Sequence, residues 1–162
     1  MGHGRDWVFE TDYLRYVVSG TGHNLSVLDV GGGAEFCRRP GCYPFASFGT
    51  RPPGAPKSLT REGDMLHVAF NKEGAEAVIE VAEKPHYLTF ELKELRGVDA
   101  EVFNLASLGV IVTEHIGKTL NTVWTPTFGV CLLSLTMNAH AECDTVHEPV
   151  AVSYTHLRAH ET

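Results

Sequence analysis

The chain has 162 residues, 43% of them hydrophobic, and a formal net charge of −7. A chain of that size holds one domain with its own core. The acidic balance argues against binding to phosphate backbones, and no apolar run reaches the length that crosses a bilayer as a helix.

The opening MGHGRDWVFE lacks the basic-then-apolar pattern of a secretion signal. Either the protein stays in the cytoplasm, the default expectation, or the natural start lies upstream of Met1. Residues 8–18, VFETDYLRYVV, alternate at Leu14, Tyr16 and Val18 and read as a strand. SGTGHN (19–24) is a turn whose two glycines and Asn24 suit positive φ. LSVLDV (25–30) follows as the partner strand.

The stretch VLDVGGGAEF (27–36) raises the main question about chemistry. An apolar run, an acid and glycines open the methyl-donor sites of Rossmann-type enzymes. There Asp29 would end the first strand, and the glycines would let a cofactor approach the start of a helix. Asp29, Gly31 and Gly33 fit that pattern, but Glu35 stands at the third glycine position. AEFCRRPGCYP (34–44) then carries two prolines, which a helix of several turns does not tolerate. The expectation is a strand ending in a glycine loop, with no cofactor. The alternative is a small stand-alone, methyltransferase-like enzyme built on the Asp29 loop.

Residues 37–57 hold five of the eight prolines and no helical period. They read as a long irregular loop with one short strand at FASF (45–48). A regular series comes next. Glu62-Gly63-Asp64 marks a hairpin, and Leu66, Val68 and Phe70 alternate. NKEG (71–74) turns the chain, and Ala77, Ile79 and Val81 alternate. EKPH (83–86) turns it again, and Leu88, Phe90 and Leu92 alternate with Thr89, Glu91 and Lys93. This period of two predicts three or four antiparallel strands over 58–95, with those apolar residues facing a core. EVFNLASLGVIVTEH (101–115) and NTVWTPTFGVCLLSLTMNA (121–139) are apolar on both sides, and 128–135 predict a strand buried on both faces.

Other candidate chemistry is sparse. Cys37, Cys42, Cys131 and Cys143 lack zinc-ribbon spacing; without a secretion signal they are expected as free buried thiols, the alternative being a Cys37–Cys42 pair in an oxidising compartment. His140, Cys143 and His147 have a spacing that could reach one zinc ion, but they sit at the truncated edge of the domain, and no metal is expected. The carboxylate pairs Glu91/Glu94 and Asp99/Glu101 lie among alternating apolar residues and read as solvated faces, not as the machinery of glycosidic cleavage. Trp124, in NTVWTPT, precedes the most apolar strand. It is the one candidate binding residue, a platform for a sugar ring; the alternative is a half-buried cap on the core.

Four segments together resemble the N-terminal β-sandwich region of large bacterial glycoside-hydrolase-like proteins. They are FETDYLRYVVSGTGHNLSVLDVGGGAEFC, LHVAFNKEGAEAVIEVAEKPHYLTFELKELRG, VDAEVFNLASLGV and TPTFGVCLLSLTMNAHAE, spanning roughly 8–147. The resemblance implies an all-β, antiparallel sandwich of galactose-mutarotase-like or related type. It also implies a non-catalytic role beside a downstream catalytic domain of the same chain, with glycan as a ligand. It carries no catalytic residue over.

VSYTHLRAHET (152–162) resembles, over all its residues, one reading frame of a transposon-end sequencing adapter. This implies one truncated domain over 1–151 and a non-native tail over 152–162 that adds no stability.

Overall fold

The computed structural model describes residues 5–49, 53–99, 101–111, 115–117 and 121–136, together with the backbone of 139–144 and 150–156. Among the described residues there are fourteen strands and no helix. In chain order they are β1 (Trp7–Glu10), β2 (Leu14–Val18), β3 (Asn24–Asp29), β4 (Ala46–Phe48), β5 (Pro56–Glu62), β6 (Met65–Phe70) and β7 (Glu76–Glu83). They continue with β8 (Leu88–Arg96), β9 (Val102–Gly109), β10 (His115–Gly117), β11 (Thr122–Trp124), β12 (Gly129–Cys131), β13 (Ala139–Asp144) and β14 (Val150–His156). Four sheets form, ordered β1-β2-β3, β5-β6-β7-β8, β13-β14-β9-β4 and β10-β11-β12. Every pairing between these strands is antiparallel. The protein is all-β.

The segment expected as one strand over 8–18 is a hairpin. Thr11 turns it, its Oγ1 accepting from the amides of Tyr13 at 3.2 Å and Leu14 at 2.9 Å. A hydroxyl that captures nearby amides competes with the ladder, and so a threonine can break a strand that alternation alone would continue. The next turn also differs in detail: Gly22 holds the positive φ of 79°, while Asn24 lies inside β3 and is fully buried.

The alternating series behaves as its period demands. β5 through β8 form an up-and-down meander in sequence order. Its first turn is the two-residue Gly63-Asp64, with Gly63 at φ 60°. Leu59, Leu66, Val68, Phe70, Ala77, Ile79 and Val81 are buried on one face. Leu88, Phe90 and Leu92 of β8 pack on the same core but are only half-buried, because β8 is an edge strand. Its outer residues are charged, and Lys93 pairs with Glu80 at 2.8 Å and Glu91 at 2.9 Å.

The core lies between this meander and two other sheets. On the β1–β3 side, Phe9 meets Phe90 edge-to-face at 5.6 Å, and the Trp7 indole donates to the Leu59 carbonyl at 2.9 Å. On the other side, Phe70 meets Phe48 at 5.1 Å and Phe103 at 6.1 Å. Sheet-on-sheet packing of alternating apolar residues is how antiparallel layers exclude water.

The loop of 37–57 carries one strand, β4, as expected at FASF. β9 is buried on both faces, as its composition predicts. The prediction for 128–135 does not hold. Phe128, Val130 and Leu132 pack against the core, but β12 ends at Cys131, and Leu133 and Leu135 are 58% and 79% exposed. No second layer covers that outer face among the described residues, so composition overstates its burial.

Residues 152–156, in the tail expected to add nothing, continue β14 between β9 and β13. Ladder hydrogen bonds use the backbone. Any extended segment without proline can therefore complete an open edge, whatever its origin.

Candidate functional site

Trp124 sits on the small sheet β10-β11-β12. Its neighbour Val123 points inward and is fully buried, which by strand alternation sends the indole outward. Trp124 pairs with His115 on β10 and with Gly129 on β12. Both flanks favour a ring lying along the sheet. A Cβ on Gly117 would stand 3.1 Å from the indole edge, and one on Gly129 would stand 3.2 Å from the Trp124 Cβ. The His115 imidazole stacks on the indole at 5.3 Å and 23°. Trp124 keeps 40% of its surface exposed. The sheet is fixed to the body through Phe128, whose ring stacks on Phe36 at 4.1 Å and 6°.

The Asp29 loop is built differently from a cofactor site. Asp29 accepts the Gly31 amide on Oδ1 at 3.0 Å, and its main-chain carbonyl accepts the Gly33 amide at 2.8 Å. The acid thus closes its own turn. The chain then runs back beside β3, with Leu28 bridged to Glu35 and the Phe36 amide donating to the Val27 carbonyl. Residues 31–35 open no helix, and a Rossmann-type enzyme needs one at that point. The alternative of a methyltransferase-like fold on Asp29 is therefore corrected.

The residue that spoils the glycine motif is what holds the loop. Glu35 accepts from the Ser26 hydroxyl at 2.5 Å and from the Val27 and Cys37 amides at 2.7 Å each. Burial pushes its carboxyl up, but these bonds together with one from the Phe36 amide outweigh it and hold the carboxyl below the usual range. Pattern matching at this position signals only a missing glycine; the bonds are made by groups that come together in the fold.

The remaining candidates separate in space. Glu91 is paired with Lys93, and Glu94 is held by the Arg96 guanidinium at 2.6 and 2.7 Å. Asp99 and Glu101 are exposed. Such solvated, ion-paired carboxylates match the surface reading of these residues. Among the described residues Cys37, Cys42 and Cys131 form no disulfide, but only Cys37 is buried, which corrects the expectation of buried thiols. Burial, with the neighbouring Glu35 and Cys42, pushes the Cys37 thiol up to about 11, so it is a poor nucleophile. His147 lies outside the described residues, and of His140 and Cys143 only the strand backbone is described. Among the described residues, no three His, Cys, Asp or Glu side chains gather as a metal site. No helix among them is long and apolar enough to cross a membrane.

Two features have no counterpart in the motif reading. One is a buried polar tie, in which the Tyr16 hydroxyl donates to Asn24 Oδ1 and Asn24 Nδ2 donates to the Ser107 carbonyl at 2.5 Å. The other is a pair of exposed tyrosines, Tyr13 and Tyr87, at the turns of two hairpins. Aromatics beside turn residues are the sequence signal that could have marked the tyrosine pair.

Fold and surface together define an all-β protein of layered antiparallel sheets with an exposed tryptophan on its smallest sheet. No family model matches the chain, and no curated protein or solved structure matches it.

Proposed function

We propose that this chain is a non-catalytic β-sandwich domain, of galactose-mutarotase-like or related type, within a carbohydrate-active, glycoside-hydrolase-like protein. In this reading it packs against or assists a catalytic domain of the same protein and binds glycan weakly through Trp124. The observation that carries the proposal is the placement of Trp124: an indole on an outward sheet face, 40% exposed and flanked by Gly117 and Gly129. A sugar presents an apolar C–H face that packs on such a ring, and the flanking glycines let the indole lie along the sheet. Support for a non-catalytic role comes from the carboxylates. Glycosidic cleavage needs two of them facing each other across a sugar, whereas Glu91 and Glu94 are engaged by Lys93 and Arg96 on the surface.

One aromatic contact contributes about 0.5–1.5 kcal/mol beyond its buried area. A dissociation constant on the order of 1 mM is expected from so small a platform. The test is titration of the full chain with a glycan panel, alongside Trp124→Ala, and an assay of both on aryl glycosides. Weakened binding in Trp124→Ala and no turnover are expected. Unchanged binding in the variant refutes the platform, and turnover that disappears when one carboxylate is replaced refutes the non-catalytic role.

A further inference from the structure

The turns between β1 and β2 and between β7 and β8 meet at one end of the molecule. The Asp12 amide donates to the Pro85 carbonyl at 2.7 Å, and the Glu10 amide donates to the Glu83 carboxylate at 2.9 Å. The chain leaving β3 joins them, its Val30 amide donating to the Tyr13 carbonyl at 2.9 Å. Each turn is also closed internally, by Thr11 Oγ1 on one side and by a Lys84 amide to Tyr87 carbonyl bond of 3.0 Å on the other. Three segments from two sheets thus fix one another's backbones.

The side chains carried there are unusual for a turn. Tyr13 is 60% exposed and Tyr87 is 57% exposed, both more open than Trp124. The His86 ring stacks on Tyr13 at 5.5 Å and 28°, and its Nδ1 lies 3.8 Å from Asp12 Oδ2. The imidazole thus lies between the Asp12 carboxylate and the Tyr13 ring, on which it stacks. Apolar rings of this size left in water on anchored turns gain nothing for the fold, since burial is what stabilises them.

We propose that this end of the molecule is a second glycan site, taking a neutral sugar ring on the face of Tyr13 opposite His86, with Tyr87 on the docked turn as a second exposed ring and Asp12 as hydroxyl acceptor. The proposal rests on the glycan-binding reading above. Aromatic faces take the C–H face of a sugar, and a carboxylate accepts its hydroxyl protons in strong, charge-assisted bonds. Preorganised backbone reduces the ordering cost that weakens loop sites. Charge selects among sugars. The nearby carboxylates of Glu10 and Glu83 are paired with Arg15 at 3.0 Å and Arg61 at 2.9 Å. Asp12 has the His86 ring as its near neighbour, with Nδ1 at 3.8 Å. An acidic sugar would bring a second negative charge against Asp12, so neutral hexoses and pentoses are favoured over uronates.

The experiment titrates the full chain with neutral cello-, xylo- and galacto-oligosaccharides and with oligogalacturonate as the acidic control. It compares Trp124→Ala, Tyr13→Ala/Tyr87→Ala and the triple variant, with Tyr13→Phe as the conservative change. Both tyrosines are exposed, so melting temperatures should stay near that of the unaltered chain and confirm folding. The expected result is neutral-sugar binding that survives in Trp124→Ala, weakens roughly 2- to 12-fold for each tyrosine ring removed, and is retained in Tyr13→Phe. Complete loss in Trp124→Ala alone overturns this site and leaves the tryptophan platform standing. Survival in the triple variant overturns both platforms. No binding by the unaltered chain overturns the glycan reading as a whole, and preference for oligogalacturonate overturns the charge argument.

Discussion

Replacing Asn24 by alanine should destabilise this protein more than any surface change. The residue is fully buried and satisfies two other buried groups: it accepts from the Tyr16 hydroxyl and donates to the Ser107 carbonyl. Ser107 lies where β9 is irregular. Ala106 sits at φ 53°, and the register with β14 shifts across Ala151 and Ser153. A bulge takes nearby main-chain groups out of the ladder, and Asn24 supplies a donor to the carbonyl left there. Asn24→Ala therefore leaves two buried polar groups without these partners, each costing about 1–3 kcal/mol. A loss of about 3–4 kcal/mol is expected, or roughly 10 °C in melting temperature for a domain of this size. Tyr16→Phe orphans only the amide oxygen and should cost about 1–2 kcal/mol. In the double variant the cost of Tyr16→Phe should largely vanish, a coupling of about 1–2 kcal/mol. The assay is equilibrium urea unfolding followed by circular dichroism. An Asn24→Ala loss under about 0.5 kcal/mol, or strictly additive variants, would refute the buried tie as a stabilising element.

Three further outcomes are expected. Glu35 has its carboxyl held below the usual range, so its contribution is present above the ordinary carboxylate pKa of about 4.3 and is lost as pH falls through the lower folded value. Glu35→Gln should cost about 1 kcal/mol at neutral pH, reduced by the exposure of the group, and the gap to the unaltered chain should close in acid; a gap constant from pH 7 to pH 3 would contradict this. Gly97→Ala should cost about 2–3 kcal/mol, because a Cβ there would stand 2.1 Å from the Gly74 carbonyl oxygen at a φ of 63°; Gly63→Ala, at φ 60° with nothing within 4 Å, should cost only about 1 kcal/mol. Equal urea midpoints for the two variants would rule out the close approach at Gly97. Removing 152–162 takes away most of β14 and leaves β13 and β9 without that partner, so the melting temperature should fall by several degrees; an unchanged value would mean that the pairing contributes no stability.

What the sequence determined by itself was the local periodicity. Leu66, Val68, Phe70, Ile79 and Val81 alternate, and a period of two in an extended chain places them on one face wherever the sheet ends up. The Gly63 turn, the short strand near FASF and the absence of a helix after Gly33 follow from equally local causes: backbone freedom at glycine and its restriction at proline. Trp124 was visible as a candidate because an aromatic beside a turn is local information too. The tertiary structure decided which faces meet. Asn24 looks like a turn residue until β9 brings the Ser107 carbonyl against it from 83 positions away. Glu35 looks like a flaw in a glycine motif until the chain folds back onto Ser26 and Val27. Leu133 and Leu135 have the composition of a core strand, yet they are exposed because burial needs an opposing layer, and an opposing layer is a property of distant segments. Tyr13 and His86 stand 73 residues apart in the chain and stack only because one turn docks on another through the backbone, whose hydrogen bonds are largely indifferent to the side chains they carry.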